Sequence, residues 1–141
     1  MLKGIDSVIS PELLKILMEM GHGDEIVIAD GNFPGGDIAK RMVRADGHDV
    51  TTLLESVLKL LPLDTYVEAP VALMEVVKGD TIVPTIWDDY KKIIAQYDSN
   101  ASIENIERFA FYERAKSAYA VVMTSETALY ANIILKKGVV I

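Results

Sequence analysis

One of the two histidines in this sequence stands in a setting that suits proton transfer. His22 occupies Gly21-His22-Gly23-Asp24, just before the apolar run Ile26-Val27-Ile28-Ala29 that Asp30 closes. Glycines on both sides leave the ring uncrowded and the backbone free to adopt positive φ values. Because histidine side chains exchange protons near neutral pH, the pattern favours a proton-transfer group. A loop histidine after a helix-ending glycine is the alternative that the local pattern leaves open.

Four further polar side chains stand where predicted strands or turns meet loops. They are Asp30, Arg108, Tyr130 and Asn132. Such positions collect ligand contacts in α/β proteins, and these donors and acceptors together match the hydroxyl groups of a sugar. Simpler roles stay open. Arg108 could only pair with Glu104 or Glu107, and Tyr130 and Asn132 could be ordinary turn residues.

The sequence gives no support to several other chemistries. The segment Gly31-Asn32-Phe33-Pro34-Gly35-Gly36 lacks both the lysine of a phosphate-binding loop and the spacing of a dinucleotide motif. His22 and His48 lack the short helical spacing of common metal sites, and there is no cysteine to ligate a metal or act as a nucleophile. We therefore expect neither a metal nor a cofactor.

Composition and charge limit the class of protein. The 141 residues, 50% hydrophobic and 25% charged, predict a single domain over residues 1–141. A formal net charge of -7 opposes nucleic-acid binding, and no apolar run reaches the roughly 18 residues of a membrane span. Without a recognisable secretion signal, a cytoplasmic location is expected. The mean hydropathy of +0.24 hints at apolar surface that partner subunits cover.

Hydrophobic periodicity predicts strands that alternate with helices. Helices are predicted over 11–20, 50–61, 84–97 and 111–117. Strands are predicted over 25–30, 42–45, 70–77, 103–108, 119–124 and 132–136, with a turn region over 30–37. This alternation predicts an α/β fold, in which a single domain forms three α/β/α layers around a mixed, largely parallel central sheet.

The predicted strand 25–30 keeps His22 away from Asp30. At about 3.3 Å per residue the ends of this strand are ~17 Å apart. The two side chains therefore cannot form a hydrogen-bonded pair unless the histidine loop folds back along the strand. They either contact different parts of one sugar or serve sites that a neighbouring subunit completes, and no base partner of His22 is assigned.

Four collinear segments resemble a known family. They are Ile9-Ser10-Pro11-Glu12-Leu13-Leu14, Met20-Gly21-His22-Gly23-Asp24, the segment 108–115 and the segment 130–139. With these motifs the chain is similar, over nearly its whole length, to the ribose pyranase/fucose mutarotase family. The resemblance implies a cofactor-free isomerase that interconverts the α and β anomers of a monosaccharide. It also implies a ring-shaped homo-oligomer, commonly a decamer.

The resemblance implies roles for the candidate residues as well. His22 is the proton donor, and substrate is bound by Asp30, Arg108, Tyr130 and Asn132. The ribose branch carries histidine at the position of Arg108, so the chain resembles the fucose branch more closely, and L-fucose is the expected substrate. Gly31-Asn32 departs from the Ala-His that is common in that branch, which leaves the exact sugar preference open. The alternatives are a pyranase or mutarotase for ribose or another monosaccharide, and a non-enzymatic monosaccharide-binding module.

Overall fold

Five helices and six strands alternate in the computed structural model, which describes all residues from Met1 to Ile141. The helices are α1 (Pro11–Glu19), α2 (Gly35–Ile38), α3 (Val50–Leu58), α4 (Ile86–Tyr97) and α5 (Arg108–Ser117). The strands are β1 (Glu25–Ala29), β2 (Met42–Ala45), β3 (Val71–Met74), β4 (Ile103–Ile106), β5 (Ala120–Thr124) and β6 (Ile133–Lys136). None of the helices has the length and hydrophobicity that crossing a membrane requires.

All six strands join one sheet in the order β2-β5-β1-β6-β3-β4. Strand β6 runs antiparallel to its neighbours β1 and β3, and the other pairs are parallel. Residues of α1, α3 and α4 pack in the larger hydrophobic core on one face, and residues of α5 pack in a smaller core on the other. The predicted three-layer α/β/α fold with a mixed, largely parallel sheet is therefore confirmed.

Strand β1 contributes side chains to both hydrophobic cores. Ile26 and Ile28 belong to the larger core, while Val27 and Ala29 belong to the smaller one. Successive side chains of a strand point to opposite faces, so a strand covered on both sides reads as a continuous apolar run. These four residues have no exposed surface. The central position of β1 fixes the groups that precede and follow it at opposite ends of the sheet.

The prediction that Arg108 ends a strand is wrong. Strand β4 ends at Ile106, and Arg108 is the first residue of α5, which begins three residues before the predicted helix 111–117. The cause is Glu107, whose carboxylate accepts hydrogen bonds from the backbone N–H groups of Phe109 and Ala110 at 2.9 and 3.1 Å. Capping of the first N–H groups by this side chain starts the helix early.

Other boundaries differ by a few residues. The predicted turn region 30–37 contains the short helix α2, the predicted helix 50–61 ends at Leu58, and the predicted strand 70–77 covers only Val71–Met74. The start of α1 agrees with its sequence signals, since the Ser10 hydroxyl accepts a hydrogen bond from the N–H of Leu13 at 3.1 Å. None of these shifts moves a strand out of the sheet.

Candidate active site

A polar pocket lies at the carboxyl ends of β1 and β3. Its volume is about 220 Å³, and its wall includes three of the predicted site residues, Asp30, Tyr130 and Asn132. Ligands of α/β proteins bind outside the carboxyl ends of the strands, so the position is the expected one. A larger hollow of about 440 Å³ beside α3 and α4 contains none of the predicted site residues. We therefore take the smaller pocket as the candidate site.

Asp30 is the buried carboxyl group of this pocket, only 7% exposed. Its backbone N–H donates to Asn132 Oδ1 at 2.8 Å, and its own Oδ1 accepts the N–H of Asn32 at 2.9 Å. Burial raises the pKa of Asp30 above its ordinary value, while hydrogen bonds from Asn32, Phe33 and Asn132 partly oppose the shift. Asn132 thus fixes the backbone that carries Asp30, and the carboxyl group is held in place.

The backbone of Tyr130 has the unusual φ value of +58°. A left-handed conformation is uncommon for a bulky residue and requires support from its surroundings. Helix α4 supplies it, since Trp87 Nε1–H donates to the Tyr130 carbonyl at 2.8 Å and the Tyr90 hydroxyl donates to the Ala131 carbonyl at 2.6 Å. These two bonds hold the segment that brings Tyr130 and Asn132 to the pocket.

The hydroxyl of Tyr130 is bound by a second carboxylate of the pocket wall. It donates to Asp80 Oδ2 at 2.5 Å and accepts the N–H of Val77 at 3.3 Å. The bond raises the pKa of Tyr130 and helps to lower the pKa of Asp80. The sequence reasoning missed Asp80, because Lys78-Gly79-Asp80 carries only the signals of a turn.

Arg108 lies beside the pocket rather than in its wall. Its Nε–H donates weakly to the hydroxyl of Tyr112, which lines the pocket, at 3.4 Å. Neither of the ion pairs considered for Arg108 forms, because Glu104 pairs with Arg114 and Glu107 caps α5. The hydrogen bond to Tyr112 raises the pKa of Arg108. Only Nε–H takes part in that bond, so the other N–H groups of the charged guanidinium remain available as donors.

His22 lies at the other end of β1. Its Nε2 is 3.0 Å from Asp64 Oδ1, and its side chain is 44% exposed while that of Asp64 is 4% exposed. The same carboxylate oxygen accepts the N–H of Tyr66 at 3.0 Å. Hydrogen bonds from Tyr66 and His22 keep the pKa of Asp64 below its ordinary value. A buried carboxylate in this position fixes the orientation and tautomer of an accessible imidazole.

The last residue of β6 and the residue after it hold the histidine loop and the Asp64 turn together. The carbonyls of Lys136 and Lys137 accept the N–H groups of Asp64 and Gly23 at 3.0 and 2.8 Å. The sequence reasoning missed Asp64 because it is 42 residues from His22 and belongs to no motif. Only the fold brings the two side chains into contact.

The structure thus divides the predicted site residues into two groups. Asp30, Tyr130 and Asn132 meet in one pocket with Arg108 beside it, whereas His22 precedes β1 and Asp30 follows it. A strand of this length spans roughly 17 Å, so the two groups do not meet within one chain. The histidine loop does not fold back along the strand, and Asp64 rather than Asp30 is its carboxylate partner.

Comparison with family models identifies the group of proteins to which the chain belongs. Residues 3–140 match the model described as the RbsD / FucU transport protein family. The chain belongs to this family. Membership in the RbsD/FucU family confirms the resemblance seen in the sequence motifs.

Two fucose mutarotases match the chain over nearly its full length. The chain is 55% identical over 140 residues to an L-fucose mutarotase of Actinobacillus pleuropneumoniae serotype 5b, with 99% of this chain and 97% of that protein covered. It is 54% identical over 143 residues to a fucose mutarotase of Mus musculus, covering 97% and 94% of the two chains.

The fold agrees with that of a solved family member. The crystal structure of a fucose mutarotase from Streptococcus pneumoniae, in complex with L-fucose, superposes with a TM-score of 0.94 at 53% identity. The match covers 99% of this chain and 100% of the other. The polar pocket described above therefore lies in a scaffold that closely matches one able to bind a monosaccharide.

Proposed function

We propose that this protein is an L-fucose mutarotase, an isomerase that interconverts the α and β anomers of L-fucose as a single domain over residues 1–141. The observation that carries the proposal is the pocket of Asp30, Tyr130 and Asn132 in a chain 55% identical to an L-fucose mutarotase over 99% of its length. Carboxylate, phenol and amide groups supply the mixed donors and acceptors that sugar hydroxyls need.

Anomer exchange requires only acid–base catalysis and correct positioning of the sugar. Ring opening delivers a proton to the ring oxygen while the anomeric hydroxyl loses one, which gives the open aldehyde. Rotation about one bond and the reverse proton movements then close the ring as the other anomer. A positioned proton-transfer group contributes typically ~10²–10⁴ in rate. No redox step or covalent intermediate is required.

We assign the proton-donor role to His22 and sugar binding to Asp30, Arg108, Tyr130 and Asn132. His22 is accessible and its ring is held by the buried Asp64, as a proton donor requires. Asp30 is fixed by Asn132 and its own turn, so it can hold one sugar hydroxyl in a defined position. Arg108 adds charged donors at the edge of the pocket.

We further propose that His22 acts on a sugar held in the pocket of a neighbouring subunit. The pocket of one chain, about 220 Å³, is smaller than the roughly 300–1,000 Å³ of typical ligand pockets and is open to solvent. Apolar side chains are exposed around it, with Val83 at 81%, Phe109 at 67% and Leu129 at 53%. A second copy of the chain that covers these side chains would complete the pocket. A ring-shaped homodecamer provides such neighbours.

The proposal is tested by measuring the rate of anomer exchange of L-fucose with saturation-transfer NMR. We expect the wild type to accelerate exchange. The exchange rate of His22→Gln should be lower than that of wild type by a factor of ~10²–10⁴, while the variant still binds the sugar. His48→Gln is the matched control, because His48 is an exposed loop histidine. Wild type that fails to accelerate the exchange of any sugar would contradict the proposal and leave a sugar-binding module as the explanation.

The same measurement with D-ribose tests the choice of sugar. We expect faster exchange with L-fucose, and a preference for ribose would identify a pyranase instead. The cytoplasmic location stays a prediction from the sequence, which fractionation of the source cells would test.

A further inference from the structure

Asp80 is a second carboxylate in the wall of the proposed sugar pocket, and it has no assigned role in anomer exchange. It lies in the loop between β3 and α4 and is exposed. Both of its oxygens are engaged, since Oδ1 accepts the N–H of Ile82 at 3.0 Å and Oδ2 accepts the hydroxyl of Tyr130 at 2.5 Å. The first bond closes a local turn, whereas the second reaches 50 residues along the chain to the pocket.

The bonding of Asp80 determines what the Tyr130 hydroxyl can offer to a ligand. A phenol has one proton and two acceptor positions. The proton goes to Asp80, and the N–H of Val77 occupies one acceptor position at 3.3 Å. What remains is a single acceptor position.

The direction of the Asp80–Tyr130 bond is fixed by the groups around the carboxylate. The neighbours of Asp80 are donors, namely the Tyr130 hydroxyl and the N–H groups of Ile82 and Thr81, and they keep the pKa of Asp80 below its ordinary value. An ionised carboxylate has no proton to give. Tyr130 is therefore the donor in this bond and cannot also donate to a sugar.

We infer that Asp80 is a positioning residue that binds the only proton of the Tyr130 hydroxyl and so makes Tyr130 a hydrogen-bond acceptor for one hydroxyl of the bound sugar. The inference rests on the proposed function, since it concerns how the same pocket selects its substrate. It adds a specificity rule, because the sugar must present a donor to Tyr130. A hydroxyl satisfies this requirement, while fluorine at the same carbon does not.

The variant Asp80→Asn reverses the polarity of this contact. The amide oxygen can keep the turn by accepting the N–H of Ile82, which leaves the amide NH₂ facing Tyr130. That NH₂ donates to the phenol oxygen, so the tyrosine proton turns towards the pocket. We expect the Kd for L-fucose, measured by calorimetry, to rise about five- to tenfold, the loss that one hydrogen bond corresponds to.

A double-mutant cycle separates this role from mere support of the loop. In a Tyr130→Phe background no hydroxyl remains to be oriented, so Asp80→Asn should change the Kd less than twofold. Asp49→Asn is the control, because Asp49 also accepts a backbone N–H, that of Thr52 at 2.9 Å, but lies outside the pocket. An equal effect of Asp80→Asn in both backgrounds, or no effect in either, would overturn the inference.

A series of monofluorinated L-fucoses supplies a second readout. Wild type should bind one of them, fluorinated at the carbon that faces Tyr130, at least fivefold more weakly than L-fucose, and Asp80→Asn should narrow that difference. Asp80→Ser, whose hydroxyl can still accept the N–H of Ile82, replaces Asp80→Asn if the latter fails to fold. Failure of both variants to fold would assign Asp80 to loop stability and overturn the inference.

A wrong role for Asp80 can be distinguished experimentally from a wrong assignment of the protein as a mutarotase. Wild type that binds L-fucose without accelerating its exchange would contradict the mutarotase proposal, and the binding cycle would still decide the role of Asp80. Wild type that neither binds L-fucose nor accelerates its exchange would overturn both.

Discussion

His22 depends on a residue that is distant in sequence for its place in the molecule. Its Nε2 lies 3.0 Å from the buried carboxylate of Asp64, which the N–H of Tyr66 also fixes. An imidazole without such a partner would rotate freely and present either nitrogen to the sugar. The contact therefore gives the exposed histidine the single orientation that directed proton transfer needs.

Asp64→Asn should slow anomer exchange about tenfold to a hundredfold, which is less than the loss of the whole acid group. The amide keeps the bond to Tyr66 but removes the charge that holds the ring. Asp46→Asn is the control, since its ion pair with Arg44 is exposed at both ends and such pairs contribute little. Exchange by Asp64→Asn within twofold of wild type would refute the orienting role.

Asp30 links binding to the pH dependence of stability. Because burial raises its pKa in the folded state, its contribution to stability is complete below the ordinary value of 3.8 and is lost as pH rises through the higher folded value. Asp30→Asn removes the ionisable group, so at pH 7 it should melt at a higher temperature than wild type while binding L-fucose more weakly.

Thermal melts at several pH values test this expectation. The difference between Asp30→Asn and wild type should shrink as pH falls and should vanish below 3.8, where the wild-type carboxyl group becomes protonated in both the folded and the unfolded state. A variant that melts lower than wild type at pH 7, by an amount independent of pH, would contradict it.

At the residue scale, the sequence could point to groups that local pattern marks. His22 stands between glycines, and Asp30 and Asn132 flank apolar strands, so each could be selected before the fold was known. Asp64 and Asp80 could not be selected, because each looks like a turn residue and its partner is 42 or 50 residues away. Long-range contacts of this kind leave no periodic signal.

At the scale of elements, the strands β1, β3, β5 and β6 were predictable because they are buried on both faces and read as continuous apolar runs. The start of α5 was not, since glutamate is not among the usual residues at a helix N-cap. Glu107 caps the helix with its side chain, and Arg108 consequently begins a helix instead of ending a strand. The error changed the element that carries Arg108 but not its place beside the pocket.

The end of β6 and the residues that follow it join the histidine loop to the Asp64 turn. A substitution at Gly138 tests this connection. A Cβ at Gly138 would lie 2.5 Å from the Leu63 carbonyl oxygen and 2.9 Å from the Cα of Asp64. Gly138→Ala should therefore displace the turn, lower the free energy of unfolding by about 1–3 kcal/mol and slow anomer exchange.

Urea denaturation and NMR exchange measure the two effects of Gly138→Ala. Gly36→Ala serves as the control, because no atom lies within 4 Å of a Cβ built there and its backbone is helical. Equal stability and activity in the two variants would show that the close approach at Gly138 does not hold the site.

At the scale of the whole molecule, a single chain leaves His22, the proposed proton donor, and the proposed sugar pocket at opposite ends of the sheet. Apolar side chains such as Val83 and Phe109 are exposed. Their burial between subunits would stabilise an assembly by the hydrophobic effect, in line with the positive mean hydropathy.

Light scattering coupled to size-exclusion chromatography tests the assembly. We expect the mass of a decamer of 15.5 kDa protomers at concentrations where the protein is active. Val83→Asp and Phe109→Asp, which add charge to the exposed apolar side chains, should shift the mass towards smaller species. A fully active monomer would contradict the shared site.

The most direct test of a site shared between subunits is complementation between two inactive variants. His22→Gln and Asp30→Asn are each expected to be nearly inactive alone, and their co-expression with different tags allows mixed oligomers to be purified. If each site combines His22 of one subunit with the pocket of the next, about a quarter of the sites in an equal mixture are intact. We therefore expect the mixed oligomers to catalyse anomer exchange of L-fucose at about that fraction of the wild-type rate. Mixed oligomers no more active than the separate variants would contradict a shared site.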